Sequence, residues 1–158
     1  MNLINEFWNY LAGCKKLYTA LFAPLREEYS LTQIEVDVLL FLRNNPTHNT
    51  ARDIVQLRWL AKSNVSTALE DLRRGGYLSL REDPENRRVK SILLKESGRS
   101  LAETLSARQQ EFFSLMLEGV PEDTAEVLRS FFQQTGQNIA QALTRLKKEK
   151  TKEEDSHA

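Results

Sequence analysis

Apolar residues recur at spacings of three and four through the opening segment: Leu3, Phe7, Leu11, Cys14, Leu17, Leu21 and Leu25. That period predicts an amphipathic α-helix over Met1 to Glu28. Ile4, Trp8, Tyr10, Tyr18 and Phe22 widen the stripe beyond a minimal face. Pro24 is placed to bend or end the helix. Thr32 with Glu35 three residues later reads as a capping box. It opens a helix over Gln33 to Asn44 with Ile34, Val38, Leu39, Phe41 and Leu42 inward, stopped by Asn44-Asn45-Pro46. Thr50 caps a short helix to about Leu57 with Ile54 and Val55 inward. Ser63 is the expected cap of the next helix, which buries Val65, Ala68, Leu69 and Leu72 and ends at Gly75-Gly76.

The period then changes. Tyr77 to Arg81 and Arg88 to Leu94 are short runs rich in aliphatic, aromatic or β-branched residues, separated by the polar stretch 82–87. This predicts a β-hairpin with a long tip. A long helix follows over Glu96 to Glu118, broken by Gly119-Val120-Pro121, with Pro121 suited to the first turn of the last helix. That helix repeats Leu128, Phe132, Thr135, Ile139, Leu143 and Leu146 at near-heptad spacing. Lys147 to Ala158 holds eight charges in twelve residues without an apolar pattern, so a disordered tail is expected from residue 148. The chain shows no internal repeat.

Helix, short helix, helix ending in Gly, then hairpin is the order of a winged helix-turn-helix. The fold class expected is therefore mainly α with a small β-hairpin wing, flanked by long N- and C-terminal helices. In such a unit the third helix enters a major groove and the hairpin tip reaches a neighbouring minor groove. With its apolar residues inward, the helix from Ser63 to Arg74 presents Ser63, Ser66, Thr67, Glu70 and Arg74, with Asn64 at the edge. Hydroxyl and amide side chains suit phosphates and base edges. Glu70 would be repelled by phosphate, yet a carboxylate can accept from cytosine N4. The plainer alternative is an ordinary solvated helix face.

Charge changes that balance. Lys plus Arg and Asp plus Glu are both 22, so the 158-residue chain has zero net charge. Residues 1–57 carry 5 basic and 6 acidic side chains, residues 58–95 carry 9 and 5, and residues 96–158 carry 8 and 11. The candidate reading helix and wing are the basic part of a neutral chain. Arg87, Arg88 and Lys90 lie at or beside the hairpin tip, and Arg is favoured in narrow minor grooves. The expected DNA contacts are Lys62, Ser63, Asn64, Ser66, Thr67, Arg74, Arg87, Arg88 and Lys90.

Composition excludes other classes. Hydrophobic residues are 41% and charged residues 28%, enough apolar surface to bury a core. The single Cys excludes an internal disulfide and an all-Cys zinc site. No apolar run approaches the roughly 20 residues of a membrane span. No basic segment precedes the first apolar run, so a signal peptide is not expected. A cytoplasmic protein without membrane partners follows as the expectation.

The residues Leu31-Thr32, Lys62-Ser63-Asn64-Val65-Ser66, Leu72 through Leu78, Asp83-Pro84-Glu85-Asn86-Arg87-Arg88, and Leu94 followed by Gly98 and Leu101 form an ordered set. In this set the sequence resembles the MarR family of bacterial winged helix-turn-helix transcription regulators, closely over about residues 30–101 and in layout alone outside them. The resemblance implies a homodimer in which the first and last helices intertwine while two winged helices read a palindromic double-stranded DNA site. On this basis residues 1–30 form an N-terminal dimerisation helix, 31–95 the DNA-binding domain and 96–147 the C-terminal dimerisation helices. Two long helices with broad apolar faces have little to bury against a core of about 65 residues, and such a stripe marks an interface. The dimer candidates are Leu3, Phe7, Leu11, Leu128, Phe132, Ile139 and Leu143, with packing inside the protomer as the alternative for each. The sequence departs from the family at the wing, where Asn86 replaces the usual acid before Arg88, and at Lys95, where Thr is usual.

Many relatives bind small phenolic or lipophilic acids in a cleft between the dimer helices and the winged helix. Trp8, Tyr10, Phe22, Tyr29 and Trp59 are the candidates for such an effector pocket, against simple core packing. Some relatives sense peroxide through a Cys in the first helix. Alignment on Pro24 and Leu31-Thr32 puts that position at Trp8, so Cys14 is read as an inert small hydrophobe. His48 and His157 are the only histidines and no metal-ligand spacing occurs. No cofactor and no catalytic residue is expected, because neither a phosphate loop nor a nucleophile with a His partner is present. The leading reading is a ligand-modulated DNA-binding repressor or regulator, with a winged-helix protein-interaction module that contacts no DNA as the alternative.

Overall fold

A computed structural model describes residues 2–82 and 90–156. Among them it has α1 (Leu3–Glu28), α2 (Gln33–Asn44), α3 (Ala51–Arg58), α4 (Lys62–Arg74), β1 (Leu78–Glu82), β2 (Lys90–Leu94), α5 (Glu96–Met116) and α6 (Thr124–Ser156). The fold is mainly helical with one small hairpin, the class read from the sequence. Residues 1–116 and 117–158 are two compact units.

The first unit is built around α2. Seven of its twelve residues are buried: Glu35, Val36, Val38, Leu39, Leu40, Phe41 and Leu42. The expected stripe is narrower, and the difference arises because α1, α4 and α5 all pack on this helix, which an all-round apolar surface requires. The capping box is present in full: the Thr32 hydroxyl accepts from the Glu35 N–H and the Glu35 carboxylate accepts from the Thr32 N–H. Thr50 and Asp53 cap α3 in the same reciprocal way. Pro24 lies inside α1, which continues to Glu28 around the buried Phe22 and Leu25.

The hairpin pairs antiparallel, Leu78 opposite Leu94, Leu80 opposite Ile92 and Glu82 opposite Lys90. It is tied back to the helices by a bridge from Thr50 to Ser91 and by the Ile92 N–H donating to Asn49 O at 2.7 Å. Leu78 and Ile92 point into the core beside Ile54, Val65 and Leu72. The tip, including the expected 82–87 loop beyond Glu82 and the start of the expected second strand, lies outside the described residues.

The exit of α4 fixes where the wing begins. The Gly76 N–H donates to Arg73 O at 3.1 Å and the Tyr77 N–H to Leu72 O at 3.0 Å. This is the two-bond Schellman closure, and it puts Gly76 at φ +79°, a left-handed position suited to glycine. α5 then presses on the same turn. The Lys95 N–H and the Ser97 hydroxyl donate to Tyr77 O (2.9 Å) and Gly76 O (2.8 Å), and a Cβ on Gly98 would lie 2.0 Å from Tyr77 O.

Several boundaries differ from expectation. The N-cap of α4 is Ala61, without a side-chain hydrogen bond, so Ser63 sits in the first turn. Ala61 is extended and its carbonyl already accepts from the Val65 N–H, and the Ser63 hydroxyl has no hydrogen-bond partner among the described residues. α5 stops at Met116, and Pro121 stands in the turn before α6, where its carbonyl accepts from the Thr124 N–H at 3.0 Å. The second unit consists of that turn and α6, whose 33 residues extend about 50 Å. The helix continues to Ser156, which corrects the expected disorder from residue 148. The Lys- and Glu-rich composition that carries no apolar pattern is nonetheless made of good helix formers.

One polar link crosses the apolar packing. The Tyr18 hydroxyl on α1 donates to Asp37 Oδ1 on α2 at 3.2 Å, and Gln33 Nε2 donates to the same oxygen at 3.2 Å. Burial raises the Asp37 pKa, opposed by these hydrogen bonds and the Arg58 charge. Burial, followed by the Asp37 charge, raises that of Tyr18.

Substitution tests two of these contacts. Gly98→Ala forces a methyl group against the Tyr77 carbonyl and should cost about 1–3 kcal/mol in urea unfolding. A raised Asp37 pKa means that the folded chain holds this proton more tightly than the unfolded chain. Its stabilising contribution is complete below the ordinary carboxylate value and is lost as pH rises through the raised value. Relative to Asp37→Asn, the wild type should therefore lose stability across the acid range and then run parallel to the variant. Urea unfolding from about pH 3 to 7 checks the sign.

Candidate nucleic-acid interface

α4 carries its buried residues Val65, Ala68, Leu69 and Leu72 on one side. Lys62, Ser63, Asn64, Ser66, Thr67, Glu70, Arg73 and Arg74 are exposed. At the helical period, Ser63, Thr67, Glu70 and Arg74 run along the middle of the outward face, with Ser66 beside them. The structure thus brings together the residues expected to meet a major groove.

Their electrostatics divide the helix. Arg73 Nε and a terminal nitrogen grip Glu70 at 3.1 and 2.8 Å. The hydrogen bond from Arg73 holds the Glu70 pKa below its usual value and raises that of the arginine. Arg74 is likewise ion-paired to Asp71. The two arginines at the C-terminal end are therefore neutralised by acids one turn back. In the first two turns, Lys62, Ser63, Asn64, Ser66 and Thr67 have no side-chain partner among the described residues. The open donors sit at the N-terminal end of the helix, where the backbone dipole also favours an anion. Arg74, expected as an open cation, is thus neutralised, and the signal for it is the placing of Asp71 and Glu70 three residues before Arg74 and Arg73.

On the wing, Lys90 is exposed and 3.7 Å from Glu82. Arg87 and Arg88, with Asn86, lie outside the described residues. Arg52 and Lys95 are exposed on the same unit.

The five aromatic residues expected to line a pocket do not meet. Phe22 is fully buried in the core, its ring tilted at 45° against Tyr18 with 4.5 Å between centroids. Trp8 lies fourteen residues earlier on the same helix, about 21 Å away, and is mostly exposed beside Phe7. Tyr10 is also exposed, and its hydroxyl contacts Met116 Sδ at 3.4 Å. Tyr29 packs on the edge of the core. Trp59 takes a left-handed turn conformation, φ 56°, between α3 and α4 with its ring largely exposed. The shared pocket is corrected on this geometry: helical spacing spreads α1's aromatic residues along its length.

A different cavity, of about 310 Å³, is lined by Tyr18, Asp37, Arg58, Leu60, Gln109, Phe112 and Phe113. It lies among α1, α2, the end of α3 and α5. Asn44 Nδ2 donates to Gln109 Oε1 at 3.0 Å, which orients that amide. Asp37 was the available sequence signal: it is the lone carboxylate inside the apolar run Val36 to Leu42. Cys14 is half-buried, 3.9 Å from Met116 Sδ. No cluster of three or more His, Cys, Asp or Glu that would hold a metal occurs among the described residues. No described helix is long and apolar enough to cross a membrane.

The surfaces expected to dimerise remain uncovered in the protomer. On α1, Leu3, Phe7 and Leu11 are exposed. On α6, Phe132, Ile139 and Leu143 are exposed and Leu128 is half-buried.

Comparison with known proteins agrees with this architecture. The MarR family model matches residues 29–89. An uncharacterised HTH-type transcriptional regulator of Bacillus subtilis, YwhA, is 33% identical over 82 residues, which are 52% of this chain and 57% of that protein. The chain thus spans little more than half the length of that curated relative. A MarR-family regulator from Listeria monocytogenes, solved with a 26mer DNA, superposes with a TM-score of 0.77 at 16% identity, covering 94% of this chain and 95% of that one. CouR from Rhodococcus jostii, solved with p-coumaroyl-CoA, superposes with a TM-score of 0.69 at 22% identity, covering 88% and 92%. Sequence match, helix order and wing agree: residues 29–89 match the MarR family model, and the fold is similar to that of solved MarR-family transcriptional regulators.

Proposed function

We propose that this protein is a sequence-specific DNA-binding transcription regulator, a repressor that acts as a homodimer on a palindromic operator. The observation that carries the reading is the outward face of α4. Its first two turns offer an ammonium, an amide and three hydroxyls without internal partners among the described residues, beside a basic wing. Lys62 and the hydroxyls meet phosphates and base edges of the major groove. Arg87, Arg88 and Lys90 serve the wing's contact with the minor groove or its phosphates. That the similar Listeria regulator was solved with DNA supports the assignment.

The homodimer follows from uncovered apolar surface. A helix of 33 residues with no buried residue among those described gains its stability from a partner rather than from its own hydrogen bonds. The exposed apolar residues of α1, and separately those of α6, are covered in this reading by a second copy, which sets two α4 helices at a fixed spacing.

The cavity around Asp37 is the effector site in this proposal. Its lining runs from α1 and α5 to Arg58, the last residue of α3, and the chain reaches α4 four residues later. A ligand that fits better when α3 and α4 have shifted weakens DNA binding by that difference in affinity, and DNA weakens the ligand equally.

Fluorescence anisotropy on labelled duplexes from the DNA flanking the coding region tests the reading. Affinity should fall steeply with salt, and Lys62→Ala, which removes one phosphate contact from each protomer of the dimer, should reduce the slope of log K against log salt by about 2. A salt-independent interaction would favour a protein-interaction module instead. Arg88→Ala should weaken operator binding by about 1–3 kcal/mol while sedimentation shows the same dimer. Native affinity in that variant would remove the wing from the contact.

A further inference from the structure

Each lining group of the Asp37 cavity has a definite hydrogen-bonding state. Tyr18 and Gln33 both donate to Asp37 Oδ1. Asp37 Oδ2 receives no hydrogen bond among the described residues. Gln33 Oε1 is buried without a partner, so this amide spends its bonding on the carboxylate and orients it. The Arg58 guanidinium lies 5.9 Å from the centre of the Phe41 ring and has no hydrogen-bond acceptor among the described residues. Gln109 Oε1 is already taken by Asn44. The Gln109 amide also interacts with the Tyr18 hydroxyl, so beside it the cavity offers one unfilled acceptor at Asp37 and one unfilled donor group at Arg58. Phe112 stands edge-on to Tyr18, with ring centroids 5.3 Å apart at 89°, and Phe113 packs on Phe112 at 5.4 Å. These rings and Leu60 give the apolar walls.

One half-buried carboxylate, Asp37, and one solvent-exposed guanidinium, Arg58, decide the charge of the guest. An anionic ligand gains from Arg58 but meets the Asp37 carboxylate. A cationic ligand gains from Asp37 but meets Arg58. Removing water strengthens both the attraction and the repulsion. A neutral group with a donor beside an acceptor satisfies both side chains and leaves neither facing a like charge. Resting on the reading of this cavity as the effector site, we infer that it takes a charge-neutral planar aromatic bearing a carboxamide or lactam edge, and that it discriminates against the matching carboxylate. The N–H of that edge donates to Asp37 Oδ2, its carbonyl accepts from Arg58, and its ring lies against Phe112 and Phe113. A volume of about 310 Å³ accommodates a bicyclic ring system.

Three probes of nearly identical shape separate charge from size: 2-naphthamide, 2-naphthoate and 2-naphthamidine. Each is titrated into the full chain at neutral pH by calorimetry, with the amide resonances of the protein followed by NMR. 2-Naphthamide should bind at least about tenfold more tightly than the other two, the worth of one hydrogen bond to a charged group. In Asp37→Asn, which retains the shape and adds a donor, the preference over 2-naphthoate should shrink or reverse. Phe113→Ala should weaken all three probes while keeping their order, which controls for the rings. Equal or tighter binding of 2-naphthoate to the wild type would overturn the inference. So would an unchanged preference in Asp37→Asn with a native circular dichroism spectrum, or no binding of any probe. Operator affinity measured with and without each probe separates the two claims. 2-Naphthamide binding that leaves DNA affinity unchanged would keep the ligand class and refute the effector role. 2-Naphthoate binding that alters DNA affinity would keep the effector role and refute the class.

Discussion

A twelve-residue helix that is apolar on nearly every side has to be surrounded, and the first unit is arranged by that requirement. α2 buries Val36 and the continuous run Val38 to Leu42. α1, α4 and α5 close over it from different directions. Fully burying each of these side chains contributes roughly 1.5–3 kcal/mol, and most of that is lost if any covering helix moves away. The angle at which α4 presents its polar face is therefore set from behind. The exit from α4 adds a second constraint. The left-handed Gly76 and the contact of Gly98 with the Tyr77 carbonyl leave the hairpin one direction in which to leave the core.

Within this frame the charge balance becomes spatial. Zero net charge looks unfavourable for a nucleic-acid protein, yet residues 58–95 hold 9 basic against 5 acidic side chains. The structure refines that further. Arg73 and Arg74 are satisfied by Glu70 and Asp71, so cationic character at the end of α4 is largely cancelled. What remains open is Lys62 with the hydroxyls and amide of the first two turns. The end of α4 therefore adds little bulk attraction to phosphate. In the proposed dimer, recognition depends on individual contacts made at a fixed spacing between two protomers, and the uncovered apolar faces of α1 and α6 are suited to hold that spacing.

The elements were legible where chemistry is local. Thr32 with Glu35 and Thr50 as an N-cap were readable as caps because a capping bond spans only three residues. The inward faces of α3 and α4 followed from period alone, as did the hairpin. Ser63 misled because Ala61, two positions earlier, takes the extended conformation that starts the helix. Residues 148–156 misled because apolar period is silent on a charged helix whose residues favour helix intrinsically. The pocket was illegible for a different reason. Aromatic type says nothing of which side of a long helix faces which neighbour, and Phe22 and Trp8 end about 21 Å apart. A carboxylate set in an apolar run is the better guide, since a buried charge needs partners. Asp37 has them in Tyr18 and Gln33.

The central claim is that α4 and the wing read a DNA sequence from a two-fold assembly. In vitro selection from a random duplex pool at physiological salt addresses it without assuming any operator sequence. The account predicts enrichment of an inverted repeat whose half-sites are about one helical turn apart, roughly 10 base pairs. It also predicts that Ser63→Ala and Thr67→Ala change the enriched bases within each half-site. A pool that stays random after repeated rounds, or an enriched half-site without its inverted mate, would contradict it.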